Sequence, residues 1–309
     1  MTQWSRLLRA EALKLRCLRL TWVVLGLEIL FVILAHWLAY QGYQSLRDRI
    51  FSDPGARASP AAITGRAYAL SLLTRLITLP GAVELAFNVL QFPGFLLLAM
   101  LAGVVVGNEF GWGTIQQNLM RGTSRPAFLS IKLVAVATVV VLFMAAGLAV
   151  GTVAGGLTGW VLGGWSWTWA TPAFAREVAG MLGRLVLLGG VYAAMAVMFA
   201  VLFRSAALGA AAAIIYRFFE AVVGFFLGKT DRWIGSLYPY LVTSGHLALV
   251  ADRNFLFGMG GAVPAGSGGG MGPAFQSLLP AHQAAWLLFG FILVFVGVSY
   301  LQLSRQDLI

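Results

Sequence analysis

Three ionisable residues, Glu28, Arg217 and Glu220, stand inside otherwise apolar stretches of the chain. A charge at the centre of a bilayer costs roughly 2.5 kcal/mol or more, so such residues face a partner or a cavity. Arg217 and Glu220 are three positions apart and share a helical face, and Arg217 is expected to hold Glu28 and Glu220 together. A structural ion pair and the lining of a translocation path or dimer seam are both open readings of this set. A second polar group is denser: residues 108–132 separate two segments apolar enough to cross a membrane. Gly111 and Gly113 suit a tight turn, and Thr114 to Met120 is compatible with a short helix. Thr123-Ser124-Arg125-Pro126 then reads as a cap with proline early in the next helix. Helix, turn and helix on one face would offer Glu109, Arg121, Arg125 and Lys132 to a soluble partner. As an ordinary connecting loop, the same basic residues would only enforce topology.

Other chemistries find little support. Gly224-Phe-Phe-Leu-Gly-Lys-Thr230 is one residue short of a phosphate-binding loop and follows no strand, so the chain is expected to bring no ATPase of its own. His36, His246 and His282 are widely separated and lack a zinc-binding spacing; all three are expected near the outer interface, ring tips reaching water. No Gly-x-Ser-x-Gly elbow is present. The single cysteine, Cys17, excludes an intramolecular disulfide and an all-cysteine metal site. No catalytic residue, metal site or cofactor site is therefore expected.

The elements that must carry these residues follow from composition. The 309 residues are 60% hydrophobic and 10% charged, with a mean hydropathy of +0.85. Soluble domains carry about 25% charged residues, so this is an integral membrane protein. The formal charge of +10 sits on residues that edge apolar spans, which suits anionic lipid headgroups rather than nucleic acid. Windows of about 20 apolar residues predict an all-α domain of six transmembrane helices: Leu20 to Tyr40, Val89 to Gly107, Leu133 to Leu157, Leu185 to Phe203, Ala206 to Gly228, and Gln283 to Leu303. Arg204 and Ser205 alone separate the fourth and fifth, a tight hairpin. The density of Lys and Arg favours cytoplasmic N and C termini, with outer loops at 41–88, 158–184 and 229–282.

Residues 1–19 form an amphipathic interfacial helix, with Trp4, Leu8, Leu15 and Leu18 on one face and Arg6, Arg9 and Arg16 on another; 20–309 form the membrane domain. The first span contains Glu28 and no cleavage site follows it, so it is read as retained. A further amphipathic helix is expected around Ala67 to Leu79, an aromatic belt at Trp160, Trp165, Trp167 and Trp169, and a flexible Gly-rich stretch at 258–272. Gly103 with Gly107, and Gly151 with Gly155 and Gly159, have the small-xxx-small spacing of close helix packing.

The 108–132 segment also resembles a signature of the permease subunits of type-2 ABC exporters: an acid, Gly-Thr, a Leu-rich turn, a Ser-Arg pair and a Lys. Glu109, Gly113 and Thr114, Leu119, Ser124 and Arg125, and Lys132 hold those places here. The resemblance implies a short coupling helix that docks on a separate ATP-binding subunit. It implies a dimer of this chain with two copies of that subunit, ATP and magnesium bound by the partner, and export across the plasma (inner) membrane. It further implies that residues 237–249 form short extracellular or re-entrant helices before the last span. An ATP-independent membrane scaffold is the alternative. An integral membrane enzyme is a second, and it would need a convergent polar cluster that the sequence does not offer.

Overall fold

The computed structural model describes residues 3–52, 60–120, 122–163, 167–227, 238–250 and 279–305. Among them there is helix and no strand. In chain order the helices are α1 (Gln3–Cys17), α2 (Arg19–Ser52), α3 (Pro60–Ile77), α4 (Gly81–Val89), α5 (Phe95–Gly111), α6 (Thr114–Met120), α7 (Arg125–Val161), α8 (Pro172–Phe203), α9 (Ala206–Leu227), α10 (Val242–Val250) and α11 (Ala281–Arg305). Five stretches among the described residues are long and apolar enough to cross a membrane: Arg19–Ile50, Gly81–Gly111, Arg125–Val161, Pro172–Phe203 and Ala281–Arg305. The protein is a multi-pass membrane protein. Where a further span beginning at Ala206 was expected, α9 is a helix of 22 residues that is not among those five.

The helices overrun the apolar windows. α2 has 34 residues and, at 1.5 Å per residue, is about 51 Å long, against a hydrocarbon core of about 30 Å. The expected outer loop 41–88 is therefore largely helix: the end of α2, α3 where an amphipathic helix was expected, and α4 up to its last residue. Loop 158–184 shrinks in the same way, leaving a 3-10 turn at Trp167–Trp169 between α7 and α8. Trp160 and Trp167 are exposed, and Trp167 stacks on Trp169 with centroids 5.8 Å apart. Trp165, most of 229–282 and the Gly-rich stretch 258–272 lie outside the described residues.

Local sequence explains the ends. Ser124 caps α7, accepting from the Ala127 N–H at 3.4 Å, and Pro126 occupies the first turn, where no N–H is missed. Thr171 caps α8 in the same way, at 3.2 Å from the Phe174 N–H. Arg204 closes α8 in the left-handed region at φ 51°, which reverses the chain into α9 as the sequence predicted. Between α4 and α5 the ladder widens into a π turn at Leu90–Gly94, around Pro93. Proline has no N–H to give, and the wider turn accommodates it.

Small residues bring backbones together. A side-chain carbon on Gly103 would lie 2.5 Å from the Ala210 nitrogen, and one on Gly107 would strike Ala206, so this pair seats α5 on α9. Gly151 and Gly155 likewise meet Ala86 and Ala82 and seat α7 on α4, whereas Gly159 faces open space. The core lies where α5 and α8 meet, with Leu98, Ala99, Val191 and Tyr192 almost fully buried. α9 and α11 flank α8, and α2 packs against α3, α4 and α7.

Candidate functional site

The junction from α5 to α7 has the helix–turn–helix form expected of it. α5 ends at Gly111, Gly113 turns with φ +65°, α6 follows, and Gly122 turns with φ +84° before α7. Both glycines adopt conformations that cost an L-residue free energy. α6 presents outward: Met120 is 81% exposed, with Gln116 and Gln117 also at the surface, while Ile115 is buried; Trp112, in the turn ahead of it, is 63% exposed.

Behind α6 lies a cluster of four charges from three helices. The Lys132 ammonium, on α7 and 1% exposed, donates to Glu11 Oε2 at 2.6 Å and to Glu109 Oε1. Lys14 donates to Glu109 Oε1 at 3.0 Å and pairs with Glu11 Oε1 at 3.3 Å. The Thr114 hydroxyl donates to Glu109 Oε2, which binds the first residue of α6 to the cluster. Two carboxylates and two ammoniums balance, the condition under which burial of charge is tolerated. Desolvation opposes the charge on Lys14, but the Glu109 and Glu11 carboxylates outweigh it and hold its ammonium above the ordinary lysine value. The Lys132 nitrogen also stands 5.7 Å from the centre of the Phe128 ring. Two clefts, of about 280 and 340 Å³, both have Glu11 and Lys14 in their walls.

The structure thus joins Glu109, Thr114 and Lys132, and it changes the role read for two of them. Glu109 and Lys132 were expected to offer charge to a soluble partner. Both are buried, because α1 packs over the junction and supplies the second acid and the second lysine. Arg125 is also engaged inside the chain. Its guanidinium donates to the Ser304 and Leu303 carbonyls at 2.7 and 3.4 Å, where a cation suits the carbonyl end of α11. A hydrogen bond of 2.6 Å between Ser130 and Tyr300 strengthens that tie. Arg121 lies outside the described residues. Glu11 and Lys14 were missed, although a signal was present: Glu11 interrupts the apolar stripe Leu8, Leu15, Leu18 at helical spacing, so it had to be buried with it.

The intramembrane charges do not form the expected triad. Both oxygens of Glu28 are buried without a hydrogen-bond partner. Glu220 Oε1 accepts the Thr243 N–H at 2.6 Å, which sets a carboxylate at the positive end of α10. No ion pair among the described residues joins Arg217 to either acid. For Glu28 the reason is topological: α2 packs mainly on α3, α4 and α7, and α9 on α5 and α8. Two histidines also depart from expectation. His36 Nε2 is hydrogen-bonded to Thr158 at 2.8 Å, and buried His246 lies edge-on to Phe95 at 5.2 Å and to Tyr192 at 6.1 Å; only His282 is exposed. Gly224 to Leu227 of the phosphate-loop look-alike complete α9, and the remainder lies outside the described residues. Among the described residues no group of three His, Cys, Asp or Glu is placed to hold a metal.

No curated protein matches the chain. A family does: residues 61–309, which include Glu109, α6 and Lys132 but not α1, match the one described as protein of unknown function (DUF2705), and the chain belongs to that family.

Proposed function

We propose that the chain is the membrane-spanning permease subunit of an ATP-driven exporter, as its resemblance to type-2 ABC permeases implies. The observation that supports this best is the mounting of α6. A short helix and the turn before it expose Met120 and Trp112, while the helix's first residue, Thr114, is bonded to a buried cluster shared by α1, α5 and α7. A load applied to α6 passes to three helices at once instead of being absorbed by a slack connection. In this reading α6 docks on a separate ATP-binding subunit, and both termini are cytoplasmic. With 22 residues, about 33 Å at helical rise, α9 makes a sixth crossing. Two copies of the chain and two of the ATPase complete the transporter in the plasma (inner) membrane. ATP and magnesium bind the partner, and the exposed apolar residues of α2 and α11 meet lipid and the second copy.

The test is co-expression with an ATPase encoded beside this chain. The purified chain alone should hydrolyse no ATP above background, and the two proteins should co-purify as two permeases with two ATPases. Trp112→Asp with Met120→Asp should abolish the complex while leaving the chain folded, since both side chains are solvent-facing. Hydrolysis by the isolated chain, or an undisturbed complex in the double variant, would remove the reading. Failure of any ATPase to co-purify would favour a scaffold.

A further inference from the structure

We propose that Glu28 is a proton-binding site inside the membrane domain, set against the π turn between α4 and α5. The carboxyl group is 1% exposed, and neither oxygen has a hydrogen-bond donor. Its Oε1 lies 3.7 Å from where a side-chain carbon on Gly94 would stand, so the group faces the π turn across a residue that leaves it room. The turn adds acceptors rather than donors. Gln91, equally buried, gives its amide N–H to Asn88 Oδ1 at 2.9 Å and leaves its own Oε1 without a donor. Pro93 contributes no N–H to it.

Positive charge is missing as well. Residues 85–108, which contain most of α4, the π turn and most of α5, hold no ionisable side chain, and neither do residues 133–161 of α7. On the elements packed against α2, the charged groups lie toward the helix ends. They are Glu84 on α4, Arg66 and Arg75 on α3, Arg125 on α7, and Glu109 with Lys132, which are bonded to each other; α1 adds Arg6, Arg9, Glu11, Lys14 and Arg16. On α8, which packs on the π turn, Tyr192 stacks on Phe95. His36, further along α2, is bonded to Thr158. None of these is hydrogen-bonded to Glu28.

A bare carboxylate here would be an unpaired anion without a donor, an expensive arrangement at bilayer depth. One proton resolves both deficits: the carboxylate and H⁺ become a neutral acid, and one acceptor oxygen becomes a hydroxyl donor. No other bond forms or breaks. A hard metal ion takes six or more oxygens, more than Glu28 and Gln91 can offer. The proposal stands independently of the exporter reading.

The full chain in lipid nanodiscs is the sample, as wild type, Glu28→Gln and Glu28→Leu. The proton stabilises the folded state, so stability from this site is full in acid and lost as pH rises. The wild-type melting temperature should therefore fall with rising pH, and Glu28→Gln, which copies the neutral acid, should remove that slope. The alkaline loss due to Lys14 should remain in both. The infrared carbonyl band of a protonated carboxyl group should be present in the wild type and vanish in both variants, so a poorly folding glutamine variant still leaves the leucine variant to assign it. Equal pH profiles in wild type and Glu28→Gln, or no such band in the wild type, would overturn the proposal. Sodium-dependent stabilisation at constant pH that disappears with Glu28 would assign an alkali ion instead, and would overturn it too.

Discussion

Replacing Lys132 by methionine keeps the length of the side chain and removes the one fully buried cation of the α1–α5–α7 cluster. Glu11 and Glu109 then share only Lys14, at 3.3 and 3.0 Å, and the four-charge balance becomes a net charge of minus one. Breaking a buried pair by removing one partner costs about 3–5 kcal/mol. Lys14 is half exposed, so solvent screens what it contributes, yet it still touches both acids. The lower end of that range, about 3 kcal/mol, is therefore expected for Lys132→Met. Adding Glu109→Gln leaves Glu11 and Lys14 as a balanced pair and should recover about 1–2 kcal/mol, the scale of coupling between residues in contact. Equilibrium unfolding in mixed micelles measures both variants against wild type. A Lys132→Met variant within about 0.5 kcal/mol of wild type, the range of an ordinary surface change, would refute the cluster's structural role. So would a double variant no more stable than the single one.

Gly103→Leu should cost at least the 1–3 kcal/mol typical of overpacking, because the atom it meets is the Ala210 backbone; Gly159→Leu, facing open space, should be near neutral in the same melt. Arg125→Ala removes two hydrogen bonds to the end of α11 and should speed limited proteolysis of the C-terminal residues, at a stability cost of about 1.5 kcal/mol; an unchanged cleavage rate would show the tie to be idle. Lys14 is held above its ordinary 10.5, so its contribution is complete below about that pH and is lost as the pH climbs through its folded value. Lys14→Met should flatten this alkaline loss in a pH-resolved melt. Exposed Cys17 should react with an impermeant thiol reagent from the inner side only, and a cysteine at Ser52 in a Cys17→Ser background from the outer side only; the reverse pattern would invert the topology.

Helices were legible because apolar runs of this length have no other way to satisfy their backbone in lipid. Their ends were not, because α2 beyond Tyr40 and α7 before Leu133 are held by polar and packing contacts that hydropathy does not register. The glycine stripes were legible as close packing, but not which helix each would meet. Glu109, Thr114 and Lys132 were singled out by the resemblance to the permease signature. Their burial was not, since it depends on Glu11, about a hundred residues away in sequence. The pairing read for Arg217 assumed that α2 and α9 were neighbours, and only the tertiary arrangement could test that.

The π turn at Leu90–Gly94 has a mechanical consequence. On one side of it, α4 is zipped onto α7, the Ala86 and Ala82 methyls seated on Gly151 and Gly155. On the other, α5 is zipped onto α9 through Gly103 and Gly107. Each zipped pair is too closely packed to flex within itself and should move as a plate. The two plates share one continuous rod, whose only departure from the regular α ladder, at Pro93, is where a hinge would be placed. Bending there would swing α7, which carries Lys132, relative to α5, which carries Glu109, and so would strain the very ion pair that braces α6.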